Sequence, residues 1–120
     1  ALCVDKQRER LYIADACNHR IVVYDFQGNL TTTIGSAGVE QNRLRYPYDL
    51  TLLEDGTLVV CEYGNNRLQL FAPDGQSLAV LGQPGRQLGQ LAYPWAVSVD
   101  RHRRAFIIDA GNNRVQVWQL

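Results

Sequence analysis

Apolar residues in this chain fall in short blocks or alternate one-on, one-off, and Gly, Asn, Asp and Pro punctuate the gaps. That is the period of β-strands, and no segment sustains the 3.6-residue period of a helix. The pattern predicts strands near Leu2–Val4, Leu11–Ala14, Ile21–Tyr24 and Leu30–Ile34. It predicts a second set near Tyr48–Leu53, Leu58–Cys61, Leu68–Phe71 and Ser77–Leu81. A third set, Trp95–Val99, Ala105–Ile108 and Val115–Trp118, stops one strand short. The fold class is therefore all-β, in units of four antiparallel strands.

The three sets are copies of one unit. Asn18, Asn65 and Asn112 are 47 residues apart, as are Asp15, Glu62 and Asp109, and Arg20, Arg67 and Arg114. Gly28/Gly75, Gly35/Gly82, Gly38/Gly85 and Pro47/Pro94 keep the same interval. The one slip is an extra residue between Asp5 and Asp15 relative to Asp100–Asp109. Ile21, Leu68 and Val115 share one face of the third strand with Val23, Leu70 and Val117, while Val22, Gln69 and Gln116 take the other. On the first strand the alternate face carries the small Cys3, Thr51 and Ser98, which suits a crowded inner strand. A four-stranded unit repeated at roughly 40–50 residues predicts β-propeller blades. The predicted blades span 1–35, 47–82 and an incomplete 94–120 within a single partial propeller.

A turn motif joins the second strand to the third in every copy: Asp15, Asn18 and Arg20; Glu62, Asn65 and Arg67; Asp109, Asn112 and Arg114. Gly64 and Gly111 suit a positive φ there, and Asn tolerates one. The carboxylate is expected to accept backbone N–H bonds, and the Arg to fork onto it or onto nearby carbonyls. These groups would also suit a polar ligand, but recurrence in each blade makes them architecture. The stretch Leu11-Tyr-Ile-Ala-Asp15-Ala-Cys-Asn18-His19-Arg20-Ile21 resembles the signature of NHL repeats. The Pro73-Asp74-Gly75 turn and the Gly82…Gly85…Tyr93-Pro94 linker extend the resemblance over nearly the whole chain, with Arg in place of the Leu that gives the family its third letter. The resemblance implies a six-bladed propeller serving as a binding platform for proteins or RNA. Related six-bladed enzymes hold metal ligands in the central channel.

In such a propeller the fourth-to-first-strand linkers share a face with the second-to-third-strand turns. The linkers, 36–46 and 83–93, are longer than ordinary hairpin loops, and loops of that length often carry function. They place Arg43, Arg45, Tyr46, Arg86 and Tyr93 on that face, beside Tyr48, Tyr63 and Trp95. Arg and aromatic residues dominate protein-binding hot spots, and they also stack the bases of single-stranded RNA. The structural alternative is that Tyr46/Tyr93 and Tyr48/Trp95, being equivalent by register, pack between blades. The opposite face carries Lys6, Arg8, Arg10 and Arg101–Arg104, interrupted by Glu54 and Asp55. Such a mixed rim is ordinarily solvated surface.

Charge and composition narrow the function further. Twelve Lys and Arg balance twelve Asp and Glu, so the basic footprint usual in a nucleic-acid binder is missing at the level of the whole chain. Cys3, Cys17 and Cys61 have neither paired spacing nor a CxxC, which predicts no disulfide or zinc site and favours a reducing, intracellular setting. Cys17 lies in a turn, where a thiol can react, although a bland structural role is the expectation for each of the three. His19 and His102 fall on opposite faces, and no nucleophile–base pair, metal triad or phosphate loop is visible. No cofactor is expected. No apolar run approaches the roughly 20 residues of a membrane helix. The opening at Ala1, inside an apolar run, reads as a fragment or processed chain. The functional reading is a non-catalytic platform for proteins or peptides, with a single-stranded-RNA propeller and a channel-metal enzyme as alternatives. Two open sheet edges predict that a longer chain or self-association completes the ring.

Overall fold

The two central strands of the middle blade are buried on both faces, which is why the first of them runs Leu-Val-Val-Cys without the polar alternation of a one-sided sheet. The computed structural model describes residues 1–120. Blade one comprises β1 (Leu2–Asp5), β2 (Arg10–Asp15), β3 (Arg20–Asp25) and β4 (Leu30–Ile34), paired in that order and antiparallel throughout. Blade two repeats it with β5 (Pro47–Leu52), β6 (Leu58–Glu62), β7 (Arg67–Phe71) and β8 (Ser77–Leu81). The linker to blade three contains two short strands absent from the sequence reading, β9 (Gln83–Pro84) and β10 (Gln90–Leu91), which pair in parallel. Blade three is β11 (Pro94–Val99), β12 (Arg104–Asp109) and β13 (Arg114–Gln119).

The first strands β1, β5 and β11 pack beside one another, and so form the inner edge of the fan. Tyr12, Ile21, Val23, Ile34 and Leu44 meet Leu50, Leu58, Val60 and Phe71 in the joint between blades one and two. Val59, Cys61, Leu68 and Leu70 turn the other way and meet Leu91, Val97, Ala105 and Ile107 in the joint between blades two and three. Successive residues of β6 thus serve different joints, as the strand's two-residue period requires. The outward face of blade three leaves Phe106, Ile108, Val115 and Val117 exposed, and blade one leaves Leu2 and Val4 exposed. The sheets do not close a ring. The only helical pieces are 3-10 turns at Ala16–Asn18 and Ala110–Asn112, so no helix is long and apolar enough to cross a membrane.

All three cysteines are free. Burial pushes the Cys3 thiol up to about 12, aided by the nearby charges of Asp5 and Asp49, and burial raises Cys61 as well. Cys17 is exposed. A maleimide applied to the native protein near neutral pH is expected to label Cys17 alone, with Cys3 and Cys61 labelled only in denaturant; mass spectrometry of the digest reads the result.

Candidate binding face

The face is built on the repeated turn motif and the linker that lies over it. In blade two Glu62 is fully buried and accepts from Arg67 Nε at 2.7 Å, Asn65 Nδ2 at 2.8 Å, Gln69 Nε2 at 3.0 Å and the Arg45 backbone N–H at 3.2 Å. The remaining Arg67 nitrogens donate to the carbonyls of Val39, Glu40 and Arg43, and Asn65 donates to that of Gly38. Blade three repeats the arrangement. Asp109 accepts from Arg114, Asn112, Gln116 and the N–H of Ala92, while Arg114 reaches the carbonyls of Gln87 and Gln90. The motif is thus a clamp on the linker that enters its own blade. In blade one, Asp15 holds only Asn18 and Arg20 and the pair stays exposed. The carboxylates therefore accept mainly from side chains and one linker N–H, rather than from the backbone of their own turn.

The glycines of the motif do a different job from the one their sequence suggested. The left-handed residues are His19, Asn66 and Asn113, at φ 55, 53 and 53°. Gly64 and Gly111 instead allow close approach: a Cβ on Gly64 would sit 2.9 Å from the Arg45 carbonyl oxygen, and one on Gly111 2.7 Å from that of Ala92. Both glycine N–H groups donate to those same oxygens. Cys17 occupies the equivalent place in blade one, where no linker presses on the turn.

Burial pushes the Asp109 carboxyl up, but the Ala92 N–H and the Asn112, Arg114 and Gln116 side chains outweigh it and hold the group below its ordinary value. A carboxyl lowered in the folded state adds stability above the unfolded pKa, about 3.9, and loses it as pH falls through the lower folded value. The urea midpoint is therefore expected to hold at neutral pH and to decline below about pH 4. Asp109→Asn should lower the neutral midpoint and flatten that acid limb; an unchanged limb would show that Asp109 does not contribute.

The linkers end by delivering aromatic rings. Tyr46 and Tyr93 adopt φ 47 and 50°, uncommon for residues with side chains. Each is held by a bond from its N–H to the preceding blade: to His19 Nδ1 at 3.0 Å for Tyr46 and to Asn66 Oδ1 at 2.8 Å for Tyr93. Asn thus does in one joint what His does in the other. His19→Asn should leave the denaturation midpoint unchanged, whereas His19→Ala should cost about 1 kcal/mol, the usual worth of one hydrogen bond.

Tyr48 and Trp95 stand at equivalent β-bulges, each the extra residue opposite its partner strand. A bulge re-aims its side chain, and these two are 40% and 59% exposed. The peptide groups beside the bulges are held by Asp49, whose two oxygens accept the N–H groups of Leu50 and Val97 at 2.9 and 3.0 Å.

The result is a row of rings across two joints. His19 meets Tyr46 edge-on at 4.5 Å, Tyr46 meets Tyr48 at 6.5 Å, Tyr48 stacks on Tyr63 at 4.4 Å, and Tyr63 reaches Tyr93 at 5.2 Å. Such pairs add attraction beyond their buried area and fix the rings relative to one another. Beside the row lies an open depression of about 520 Å³ lined by His19, Val39, Glu40, Arg43, Arg45 and Tyr46. Four of the eight residues singled out from the sequence, Tyr46, Tyr48, Tyr63 and Tyr93, join the row; Arg43 and Arg45 line the depression, while Arg86 and Trp95 lie outside both. Sequence reasoning missed His19, whose signal was its place in the Asn66 and Asn113 register. No three His, Cys, Asp or Glu side chains converge as a metal set.

The family model of the NHL repeat matches residues 1–24. Blade one thus carries an NHL repeat, over β1, β2 and most of β3. Solved structures agree on the fold over the whole chain. The fan resembles an auxiliary nutrient binding protein from Bacteroides thetaiotaomicron, with TM-score 0.75 and 18% identity over 97% of this chain and 36% of that one. It resembles virginiamycin B lyase from Staphylococcus aureus with TM-score 0.63 and 13% identity over 99% and 40%. A chain of a nidogen/laminin complex gives TM-score 0.55 and 21% identity over 100% and 46%. The chain therefore spans less than half the length of these neighbours. No curated protein sequence matches it.

Proposed function

We propose that this chain is part of a non-catalytic NHL-type propeller whose linker-side face binds protein or peptide partners. The observation that carries this reading is the row Tyr46–Tyr48–Tyr63–Tyr93, in which each ring meets the next, edge-on, stacked and tilted in turn, yet Tyr46, Tyr48 and Tyr93 remain at least 38% exposed. Rigid aromatic surface offers contact area at small entropic cost, which is what hot spots require. One structural neighbour comes from a protein–protein complex and another is called a nutrient binding protein, so the fold is used for binding elsewhere. The test is to pan a displayed library of random peptides on the chain and to repeat it with Tyr48→Ala. Enrichment that the variant abolishes supports the reading, and failure to enrich any sequence overturns it.

The same rings would stack unpaired bases, so single-stranded RNA is the second reading. Filter binding of an oligouridine across salt concentrations separates the two. Affinity that falls steeply with salt supports RNA, because phosphate contacts release counterions.

We also propose that the open faces of blades one and three are covered by blades of the same repeat, in a second copy or in a longer chain. Val115 and Val117 occupy the register of Ile21 and Val23, whose partners in the joint, Leu58 and Val60, correspond to Leu11 and Ile13 of blade one. Sedimentation of the chain tests the self-associated form, and a monomer at high concentration would exclude it.

A further inference from the structure

Arginines on this side of the fan fall into two groups. Arg20, Arg67 and Arg114 are paired with Asp15, Glu62 and Asp109 at 2.7–2.8 Å, and Arg43 lies 3.6 Å from Glu40. The guanidiniums of Arg45 and Arg86 make neither an ion pair nor a hydrogen bond, and both residues are exposed. Of these two, Arg45 opens into the depression beside Tyr46. Every carboxylate of the motif and the linkers already has a cation, and Asp49 is occupied by two backbone N–H groups. The depression therefore presents a positive charge that the fold itself does not answer.

Nor does the fold need that charge. The backbone of Arg45 is scaffold, since its N–H binds Glu62 and its carbonyl receives the Gly64 N–H. At the equivalent position in the next linker the same two bonds are made by Ala92, so a methyl group suffices for the architecture. Only the side chain departs from the repeat, and it departs toward solvent, next to the row of rings.

Resting on the peptide reading above, we propose that the occupant of this face is an extended acidic peptide. One of its carboxylates pairs with the Arg45 guanidinium, and neighbouring side chains lie across Tyr46 and Tyr48. A planar guanidinium takes a carboxylate in two parallel hydrogen bonds. Side chains on one face of an extended chain recur at about 6.6–6.8 Å, close to the 6.5 Å step from Tyr46 to Tyr48. A nucleic-acid strand fits less well, since each phosphate asks for a cation and the four other arginines at the motif turns and the 36–46 linker are neutralised from within.

The experiment uses peptides enriched by panning on the intact chain, resynthesised with fluorescein and measured by anisotropy, each beside a copy with Asp and Glu replaced by Asn and Gln. The expected result is enrichment in Asp or Glu and a loss of about tenfold, for the neutralised peptide or for Arg45→Gln, as a charge-assisted hydrogen bond disappears. Arg101→Gln on the opposite face should change nothing. The melting temperature of Arg45→Gln should equal that of the parent, which excludes misfolding as the cause. Peptides that bind through Tyr48 with no acidic bias and no dependence on Arg45 would overturn this inference while leaving the peptide platform standing. Absence of any peptide binder would remove both, and oligouridine binding that depends on Arg45 would replace the peptide by RNA.

Discussion

Glu62→Ala is expected to destabilise the chain by about 3–5 kcal/mol, because it strips the counter-charge from an arginine held almost entirely out of water. Arg67 keeps its bonds to three linker carbonyls but loses its only anion, and Asn65, Gln69 and the Arg45 N–H lose an acceptor at the same stroke. Domains of this size are stable by about 5–15 kcal/mol in all, so the loss is a large share of the total. Asp15→Ala removes the same motif position in blade one, where water already reaches both partners, and its effect should be a small fraction of that. Urea denaturation of both variants checks the contrast. Equal midpoint shifts would mean that the linker clamp adds nothing to stability.

Phe71→Ala should be comparably severe, at about 3–5 kcal/mol, by opening a cavity where blades one and two meet. Phe71 has no exposed surface and packs in the cluster with Tyr12, Ile21, Val23, Ile34 and Leu44. Its counterpart Tyr24 in blade one is only half-buried, so Tyr24→Ala should cost markedly less. Thermal melts should place Phe71→Ala roughly 10–20 °C below the parent. A fall of a few degrees would show that the joint relaxes around the lost ring.

The comparison of Glu62 with Asp15 shows how far the sequence was legible. The 47-residue register placed both in one role, and it placed the strands within a residue or two, because alternation and turn residues are local signals. Their opposite burial was not legible, since what covers Glu62 is the linker from the preceding blade. The same reason explains Gly64, which read as a left-handed turn residue. Its neighbour Asn66 carries that conformation, and Gly64 is small because the Arg45 carbonyl presses on it. The aromatic residues of the row were legible as a set but not as a row. Tyr46 reaches Tyr48 only through a left-handed backbone, and Tyr48 is turned outward by a bulge, neither of which leaves an unambiguous mark on residue type.

The clamp of Asn65 and Arg67 grips the linker entirely through carbonyl oxygens, at Gly38, Val39, Glu40 and Arg43. Carbonyls are common to all residues, so the joint is indifferent to most of the letters it holds. Val39, Glu40 and Arg43 in one linker correspond to Arg86, Gln87 and Gln90 in the next, where Arg114 still grips the carbonyls of Gln87 and Gln90. Natural drift can therefore rewrite the exposed side chains of these segments one by one while selection on folding stays nearly silent. The same indifference makes positions 39, 40 and 43, with 86 and 87 in the next linker, natural places to randomise when raising new binders on this scaffold, whereas Asn42 and Gly89 are kept by their left-handed backbone.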